Sequence, residues 1–132
     1  MKRILFDSHA LLKFSQDEEG ADKVEQFLLS SLNRNLKAYL SEINLGEIYY
    51  ISIRRLGLES AKLYLEQLLD LPIDIVSPSS EIIRGAAEIK AQYAISYADC
   101  FAVATALKYS ASIITGDPEF KKVDQIVTIE WL

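Results

Sequence analysis

The residues of this sequence best suited to chemistry are four acids, Asp7, Glu47, Asp99 and Asp117, which are spread over most of the chain. Carboxylates that are brought together repel one another unless a cation lies between them. Mg²⁺ and Mn²⁺ are hard cations that prefer such oxygen ligands. A cation held in this way can activate water and stabilise the leaving oxygen when a phosphodiester is hydrolysed. The four acids therefore predict a metal-dependent hydrolase, provided that the fold brings them into one place.

The rest of the sequence offers no competing catalytic site. His9 is the only histidine and Cys100 the only cysteine, so neither a histidine-rich nor a cysteine-rich metal site can form. The sequence also lacks a glycine-rich phosphate loop and a nucleophile elbow. A single cysteine excludes an intramolecular disulfide, which favours the reducing cytoplasm as the location.

Hydrophobic periodicity divides the chain into alternating strands and helices. Strands are predicted over residues 3–6, 37–40, 73–76, 111–115 and 126–131. Helices are predicted over residues 9–15, 20–36, 42–56, 58–71, 79–93 and 97–109. For the helix over 42–56, Ser41 is the expected cap and Gly57 the expected stop. This alternation predicts an α/β fold with a mostly parallel five-stranded sheet and helices on both faces, in a single domain over 1–132.

The predicted topology places all four acids at one edge of the sheet. Asp7 follows the first strand and Asp117 follows the fourth. Glu47 lies in the second turn of the helix that leaves the second strand. Asp99 lies in the first turn of the helix that must run back to the start of the strand over 111–115. Parallel sheets bind their ligands at the carboxyl ends of the strands, and this is the edge where the four acids are expected.

Each acid also has an ordinary structural explanation. Asp7 is placed to cap a helix, and Asp99 has capping-box spacing from Ser96. Asp117 lies in a Gly-Asp-Pro turn, and Glu47 could be one more solvated helix acid. The shared edge is what favours a function for all four. Asp99 is the most telling, because its segment ISYADCFAVATAL is otherwise too apolar for a solvent-facing acid.

The composition fits a compact protein but is unusual for one that binds nucleic acid. The chain has 132 residues, 50% of them hydrophobic, and a formal net charge of −5. Such a charge disfavours phosphate binding, although a metal held by several acids would supply positive charge locally. No apolar run approaches the roughly 20 residues that a membrane helix needs. The start, MKRILFDSHALL, is not typical of a signal peptide, so we expect neither membrane attachment nor secretion.

Four segments, in order, resemble the motifs of the PIN-domain family, and specifically the VapC-type toxins of bacterial and archaeal toxin–antitoxin pairs. ILFDSHALL resembles the first motif, with Asp7. LSEINLGEIYY resembles the second, in which a serine six positions earlier places the acid on Glu47. ISYADCFAVATAL resembles the third, with Asp99, and IITGDPEFKKV resembles the fourth, with Thr115 and Asp117. The resemblance spans nearly the whole chain, and the ordered set is more specific than any one motif.

The resemblance implies a PIN-like three-layer sandwich and an endoribonuclease that depends on Mg²⁺ or Mn²⁺. In this family a metal-activated water attacks an RNA phosphodiester and leaves a 5′-phosphate and a 3′-hydroxyl. The residues that would be both catalytic and metal-binding are Asp7, Glu47, Asp99 and Asp117. By the same resemblance, Ser8 and Thr115 would bond to a carboxylate or to a water on the metal. A homodimer and inhibition by a small antitoxin protein are also implied.

Residues beside the motifs have two interpretations each. Asn44 lies three positions before Glu47 on the same helical face, where it either supports the site or is exposed polar filler. The lysines that could meet substrate phosphates, unless they are only solvated, are Lys13, Lys121 and Lys122.

Other positions have a structural explanation that we favour. His9 could touch substrate or carry a proton, but packing within the first helix is the interpretation we prefer. Glu42 stands in a first helical turn, where the helix dipole favours an acid. Cys100 is expected to be a small buried residue. The segment 43–56 is apolar on more than one face, so it covers either a wider core or a partner chain.

Three other functions compete with a toxin ribonuclease. A housekeeping PIN nuclease that trims or matures RNA would have the same residues and would differ in lacking an antitoxin gene beside its own. A catalytically silent module that binds RNA or a partner would be expected to have lost an acid. A phosphoacceptor signalling domain needs paired acids after the first strand, where Asp7 stands alone. The toxin ribonuclease is the leading hypothesis.

Overall fold

The computed structural model describes all 132 residues and contains the predicted alternation of strands and helices. The strands are β1 (Lys2–Phe6), β2 (Leu36–Ser41), β3 (Asp74–Val76), β4 (Ser112–Thr115) and β5 (Ile129–Trp131). The helices are α1 (Ser8–Ser15), α2 (Ala21–Leu32), α3 (Glu42–Leu56), α4 (Leu58–Leu69), α5 (Ser80–Gln92) and α6 (Tyr97–Tyr109). A short 3₁₀ helix, Pro118–Val123, follows β4.

The five strands form one sheet in the order β3-β2-β1-β4-β5, and every neighbouring pair is parallel. Strand β1 is central. Its last residue, Phe6, pairs with Leu40 of β2 and with Ile114 of β4. The next residue of each of these strands therefore reaches the same edge of the sheet. At that edge lie Asp7 and Thr115, and we call it the acidic edge.

Helices cover both faces of the sheet and make three layers. The core on one face is built from β-strand residues and from α5, α6 and the 3₁₀ helix, with Phe101 and Phe120 among its members. The core on the other face is built from α1, α2, α3 and α4. Strand β1 contributes Leu5 to the first core and Phe6 to the second, as its apolar sequence requires in a sheet that is buried on both sides. No helix in the structure is both long and apolar enough to cross a membrane.

The two ends of α3 are set by the predicted residues. Ser41 caps its start, and the hydroxyl of Ser41 accepts a hydrogen bond from the backbone N–H of Ile43. Gly57 ends it with a φ of 84°, a backbone conformation that glycine adopts without steric cost. The start of this helix is important for the site, because Glu47 lies on it.

Two predicted elements were too long by three residues or more, and one element was missed. The helix predicted over 20–36 ends at Leu32, because Arg34 takes a left-handed φ of 61° as the chain turns into β2. The strand predicted over 126–131 is shortened to β5, because the backbone N–H groups of Ile126 and Val127 bond to Val123 at the end of the 3₁₀ helix. That 3₁₀ helix was not predicted, since six residues are too few to show a helical period.

Candidate active site

Asp7 is the most buried acid at the acidic edge. It caps α1, with Oδ1 accepting a hydrogen bond of 2.8 Å from the backbone N–H of Ala10. Its Oδ2 accepts a hydrogen bond of 2.5 Å from the hydroxyl of Thr115. Only 1% of Asp7 is exposed. Burial raises the pKa of its carboxyl to about 7, more than these two hydrogen bonds lower it.

Thr115 connects two of the acids. It is the last residue of β4 and is completely buried. While its hydroxyl donates to Asp7, the same oxygen accepts a hydrogen bond of 3.0 Å from the backbone N–H of Asp117. The position of Asp117 therefore depends on the side chain of Thr115, which is itself held by Asp7.

Asp99 lies in the first turn of α6 and is partly buried. The hydroxyl of Ser96 caps this helix by accepting a hydrogen bond of 3.2 Å from the backbone N–H of Asp99. Burial is the main reason that the pKa of the Asp99 carboxyl rises to about 6. Ser96 lowers that pKa, and the negative charges of Glu47, Asp117 and Glu119 raise it. Asp99 thus has the predicted cap and, in addition, three acidic neighbours.

Asn44 supports Glu47 from the preceding turn of α3. Asn44 is completely buried, and its Nδ2 donates to Oε1 of Glu47 and to the carbonyl oxygen of Ala98, each at 3.4 Å. Because both partners are acceptors, the amide nitrogen must face them. The opposite atom, Oδ1, is buried and has no hydrogen-bond partner. Asn44 is therefore buried rather than exposed, and its side-chain oxygen is an acceptor without a partner.

Asp117 lies just beyond β4 and begins the 3₁₀ helix. Its Oδ1 accepts a hydrogen bond from the backbone N–H of Glu119 at 3.0 Å. Glu119, whose charge raises the pKa of Asp99, was not predicted from the sequence as a residue of this site. Its place two residues after Asp117 was visible in the sequence, but the 3₁₀ helix that carries it was not.

The four acids interact electrostatically without forming a finished metal site. The charges of Asp99 and Asp117 raise the pKa of Asp7, and those of Glu47 and Asp117 raise the pKa of Asp99. Nowhere in the structure, however, do three or more histidine, cysteine or acidic side chains converge closely enough to hold a metal ion. The fold brings the acids to one edge and leaves their carboxylates apart.

The chemistry of this edge nevertheless fits a hard divalent cation. All the potential ligands at this edge are carboxylate oxygens, which hard divalent cations prefer. The raised pKa values of Asp7 and Asp99 show that their charges lack compensation. A cation would supply it and would lower both pKa values. Rotation of the other acidic side chains toward Asp7 would still be needed to draw the carboxylates together around the ion.

The remaining predicted site residues differ in their surroundings. Ser8 is buried at the start of α1, but it bonds to neither carboxylate oxygen of Asp7. Lys13 is partly buried, and Lys121 is exposed. Lys122 forms an ion pair of 3.0 Å with Glu119 and also donates to a backbone carbonyl. The ammonium of Lys122 is therefore already engaged within the protein.

The residues given a structural explanation lie as expected. His9 packs at the start of α1 and is partly buried, and the free thiol of Cys100 is buried in the core. Glu42 accepts a hydrogen bond of 2.7 Å from the hydroxyl of Ser77. Helix α3 buries one face in the core and leaves Tyr50 47% exposed on another, so part of its apolar surface is uncovered.

Comparison by sequence identifies one family. The profile of the PIN domain matches residues 4–126. No curated protein matches the chain significantly.

Solved structures with a similar fold include members of toxin–antitoxin systems. VapBC2 from Rickettsia felis, bound to a DNA fragment from their promoter, is 15% identical with a TM-score of 0.79, and the match covers 98% of both chains. DNA-bound VapBC from Salmonella typhimurium is 17% identical with a TM-score of 0.78, again over 98% of both chains. VapC20 from Mycobacterium tuberculosis, a sarcin–ricin loop cleaving toxin, is 16% identical with a TM-score of 0.72 over 91% of this chain and 94% of that one. At such identities the similarity shows a common fold.

Proposed function

The chain belongs to the PIN domain family, and from that premise we propose that it is a metal-dependent endoribonuclease, the toxin of a VapBC-type toxin–antitoxin pair. One observation carries the proposal. Asp7 and Asp99 come from distant parts of the chain, yet both lie at the acidic edge, and each has a pKa that burial raises most and that acidic neighbours raise further. Perturbed carboxyls gathered in this way are typical of catalytic sites. The structural relative VapC20, a toxin that cleaves the sarcin–ricin loop, supports the substrate class.

The proposed ligands of Mg²⁺ or Mn²⁺, which are also the proposed catalytic residues, are Asp7, Glu47, Asp99 and Asp117. When bound, the cation would supply positive charge to the phosphodiester and a water of lowered pKa. It would also offset the formal net charge of −5 at the place where RNA must approach.

Neighbouring residues hold these ligands in place. Ala10 and Thr115 fix the two oxygens of Asp7, so this carboxylate cannot rotate freely. Thr115 also fixes the backbone of Asp117, and Asn44 bonds to the carboxylate of Glu47. Such outer contacts orient ligands and tune their affinity. We assign Asn44 and Thr115 this supporting role, whereas Ser8, which bonds to neither carboxylate oxygen of Asp7, would contact a water on the cation.

Cation binding must displace protons from this site. With a pKa of about 7, Asp7 is half protonated in the folded protein at neutral pH, and Asp99 retains some protons as well. A carboxylate must be ionised to bind a metal, so affinity for the cation rises with pH up to and beyond neutrality. The proposed activity therefore rises with pH over the same range.

Three lysines are proposed to contact RNA phosphates. Lys13 on α1 and Lys121 on the 3₁₀ helix form no ion pair in the structure. Lys122 must first exchange its partner Glu119 for a phosphate. Contacts of this kind position RNA without selecting its sequence.

The proposed partners are a small antitoxin protein and a second copy of the chain. Relatives of the same fold were solved as VapBC complexes, which supports the antitoxin. The exposed apolar side chains of α3, such as Tyr50 and Leu56, provide surface for a partner. We propose the cytoplasm as the place of action, in keeping with the free thiol of Cys100.

Cleavage of RNA tests the proposed function directly. Purified protein is incubated with a labelled single-stranded RNA and Mg²⁺ or Mn²⁺, with and without EDTA. We expect the wild type to leave products with a 5′-phosphate and to stop when EDTA is added. Asp7→Asn and Asp99→Asn should reduce the rate by at least about 100-fold while the circular dichroism spectrum stays the same. Asp22→Asn, at an exposed acid of α2, is the matched control.

Either of two results would remove the nuclease proposal. One is cleavage that persists in EDTA, and the other is an equal rate for Asp7→Asn and the wild type. The toxin role is tested separately by the gene next to that of this chain and by co-expression of its product. A bound antitoxin should co-purify with the protein and stop cleavage, whereas a housekeeping nuclease would have no such inhibitor.

A further inference from the structure

His9 is in the first turn of α1, and its side chain lies against the chain segment after β4 that carries Gly116 and Asp117. A Cβ atom placed on Gly116 would lie 3.1 Å from Cε1 of His9 and 3.5 Å from Nδ1. The imidazole therefore occupies the space that a side chain at position 116 would need. This close packing fixes the ring relative to the acidic edge, because β4 ends and α1 begins at that edge.

The two nitrogens of the His9 ring have different surroundings. Nδ1 is buried and has no hydrogen-bond partner. Nε2 also lacks a protein partner, but it is in contact with solvent. The ring is thus held by packing alone, and Nε2 is the nitrogen that can reach a molecule arriving at the acidic edge.

The side chain of Lys13, one turn further along α1, also approaches Gly116. Its Cε would lie 3.6 Å from the same Cβ position on Gly116, so its ammonium, one bond further, is close to the His9 ring. The charges of Lys13, Asp117 and Glu18 all act on His9. Even so, Lys13 pairs with neither acid, since it takes part in none of the ion pairs of the structure. Its ammonium remains available to a ligand.

We propose that Nε2 of His9 and the ammonium of Lys13 together bind one phosphate of the RNA backbone beside the acidic edge. Both groups can donate hydrogen bonds and a phosphate only accepts them, and the bond from the charged ammonium of Lys13 is stronger than one between neutral groups. The proposal rests on the nuclease function and adds a substrate contact to it. His9 then takes a role in substrate binding in addition to its packing in α1.

Substitutions at His9 can separate the donor from the packing. In glutamine the amide nitrogen lies as many bonds from Cβ as Nε2 does in histidine, so His9→Gln keeps a donor. His9→Phe keeps a ring against Gly116 and removes both nitrogens. His9→Asn keeps a nitrogen only near the position of Nδ1, and it provides a second variant without the donor.

The experiment measures binding of a fluorescent single-stranded RNA by anisotropy in EDTA, where the RNA stays intact. We expect His9→Phe and His9→Asn to weaken binding by about 5- to 10-fold and His9→Gln to bind like the wild type. Lys13→Ala should lower the slope of log K against log salt by about 0.7, as the loss of one phosphate contact on a single strand requires. Lys62→Ala, at an exposed lysine of α4, is the matched control and should leave the slope closer to that of the wild type.

The outcomes separate this inference from the proposed function. If the wild type cleaves RNA with Mg²⁺ but His9→Phe binds RNA as tightly as the wild type, the phosphate contact is wrong and the nuclease stands. If His9→Gln weakens binding as much as His9→Phe, the ring acts through packing and the contact is equally wrong. If the wild type neither binds RNA in EDTA nor cleaves it with Mg²⁺, both proposals fall.

Discussion

The hydroxyl of Thr115 donates a hydrogen bond of 2.5 Å to Oδ2 of Asp7, a residue 108 positions earlier in the chain. The same hydroxyl oxygen accepts the backbone N–H of Asp117 at 3.0 Å. One threonine at the end of β4 therefore orients two of the four acids. Because Asp7 and Thr115 are buried, these bonds are shielded from competition with water.

Thr115→Val removes this hydroxyl while keeping the shape of the side chain. The substitution leaves an oxygen of Asp7 and the N–H of Asp117 without their partner, so we expect a loss of about 1–3 kcal/mol in the free energy of unfolding. The Thr115 hydrogen bond lowers the pKa of Asp7, and its loss must raise that pKa further. The pH profile of cleavage should then move to higher pH, as measured by the cleavage rate between pH 6 and pH 9.

Thr105→Val is the matched control for this change. Thr105 is also completely buried, and its hydroxyl donates to the carbonyl oxygen of Phe101 within α6, away from the acids. It should lose stability without moving the pH profile. If both valine variants move the profile equally, or if neither does, the role assigned to Thr115 is wrong.

The raised pKa of Asp7 makes the metal-free protein less stable as the pH rises. Asp7 titrates near its ordinary value of 3.8 in the unfolded chain and near 7 in the folded protein. Between these values the folded state binds more protons, so the free energy of unfolding falls with increasing pH. The contribution of Asp7 to the free energy of unfolding is complete below about pH 3.8 and is lost as the pH rises past 7. The difference between the two pKa values of Asp7 corresponds to a loss on the order of 2–4 kcal/mol in the free energy of unfolding.

Asp7→Asn should remove the Asp7 contribution to this pH dependence, because an amide does not titrate, and leave only the smaller contribution of Asp99. In EDTA at pH 8 we expect the variant to unfold at a higher denaturant concentration than the wild type, and at pH 5 the difference should shrink. Asp22→Asn should behave like the wild type, since Asp22 is exposed on α2. A wild-type midpoint that increases from pH 5 to pH 8 in EDTA would have the opposite sign and would contradict the assignment.

The sequence predicts the elements that carry the acids well, because each of them has a strong local signal. The apolar run before Asp7 gives β1, and the cap at Ser41 with the stop at Gly57 gives α3. Parallel strands joined by helices allow few topologies, so the shared edge follows from the order of the elements. The resemblance to the family motifs then favours Glu47 over Glu42, and in the structure it is the charge of Glu47 that raises the pKa of Asp99.

Other features depend on contacts between distant residues and had no local signal. The bond from Thr115 to Asp7 requires the register of β1 against β4. The burial of Asn44 follows from the packing of α3 against α6, which periodicity alone does not define. Glu119 reaches Asp99 only because a 3₁₀ helix turns the chain back after β4. Nothing in the sequence indicates that the carboxylates stand apart.

Glu47→Gln tests whether α3 supplies a metal ligand. Added Mn²⁺ should raise the melting temperature of the wild type, because a ligand that binds only the folded state stabilises it. The variant should need at least about 10-fold more Mn²⁺ for the same rise. Removal of the Glu47 charge lowers the pKa of Asp99, which favours metal binding, so any loss of affinity reflects the missing ligand.

Glu42→Gln is the matched control on the same helix. Glu42 is exposed and bonds to Ser77, so its replacement should leave the response to Mn²⁺ unchanged. Differential scanning fluorimetry at pH 8 measures both variants under the same conditions. A wild type with no response to Mn²⁺, or equal responses from the two variants, would exclude Glu47 as a ligand.

Gly116→Ala tests the packing between His9 and the turn of Asp117. The added Cβ would lie 3.1 Å from Cε1 of His9, so the ring or the turn must move by a few tenths of an ångström. We expect a loss of stability of about 1 kcal/mol and a cleavage rate reduced by about 10-fold, because a displaced Asp117 no longer meets the other acids correctly.

Two further variants test whether the cost of Gly116→Ala comes from contact between the added Cβ and the ring of His9. His9→Ala removes the ring, so the double variant with Gly116→Ala should be more stable than the sum of the two single changes predicts, as a double-mutant cycle in urea measures. Gly46→Ala is the control, since nothing lies within 4 Å of a Cβ at that position of α3. It should stabilise the protein by about 0.5–1 kcal/mol, as alanine does in a helix. Strict additivity of His9→Ala and Gly116→Ala would show that the two positions do not contact each other, and the turn would then have to be held by Thr115 alone.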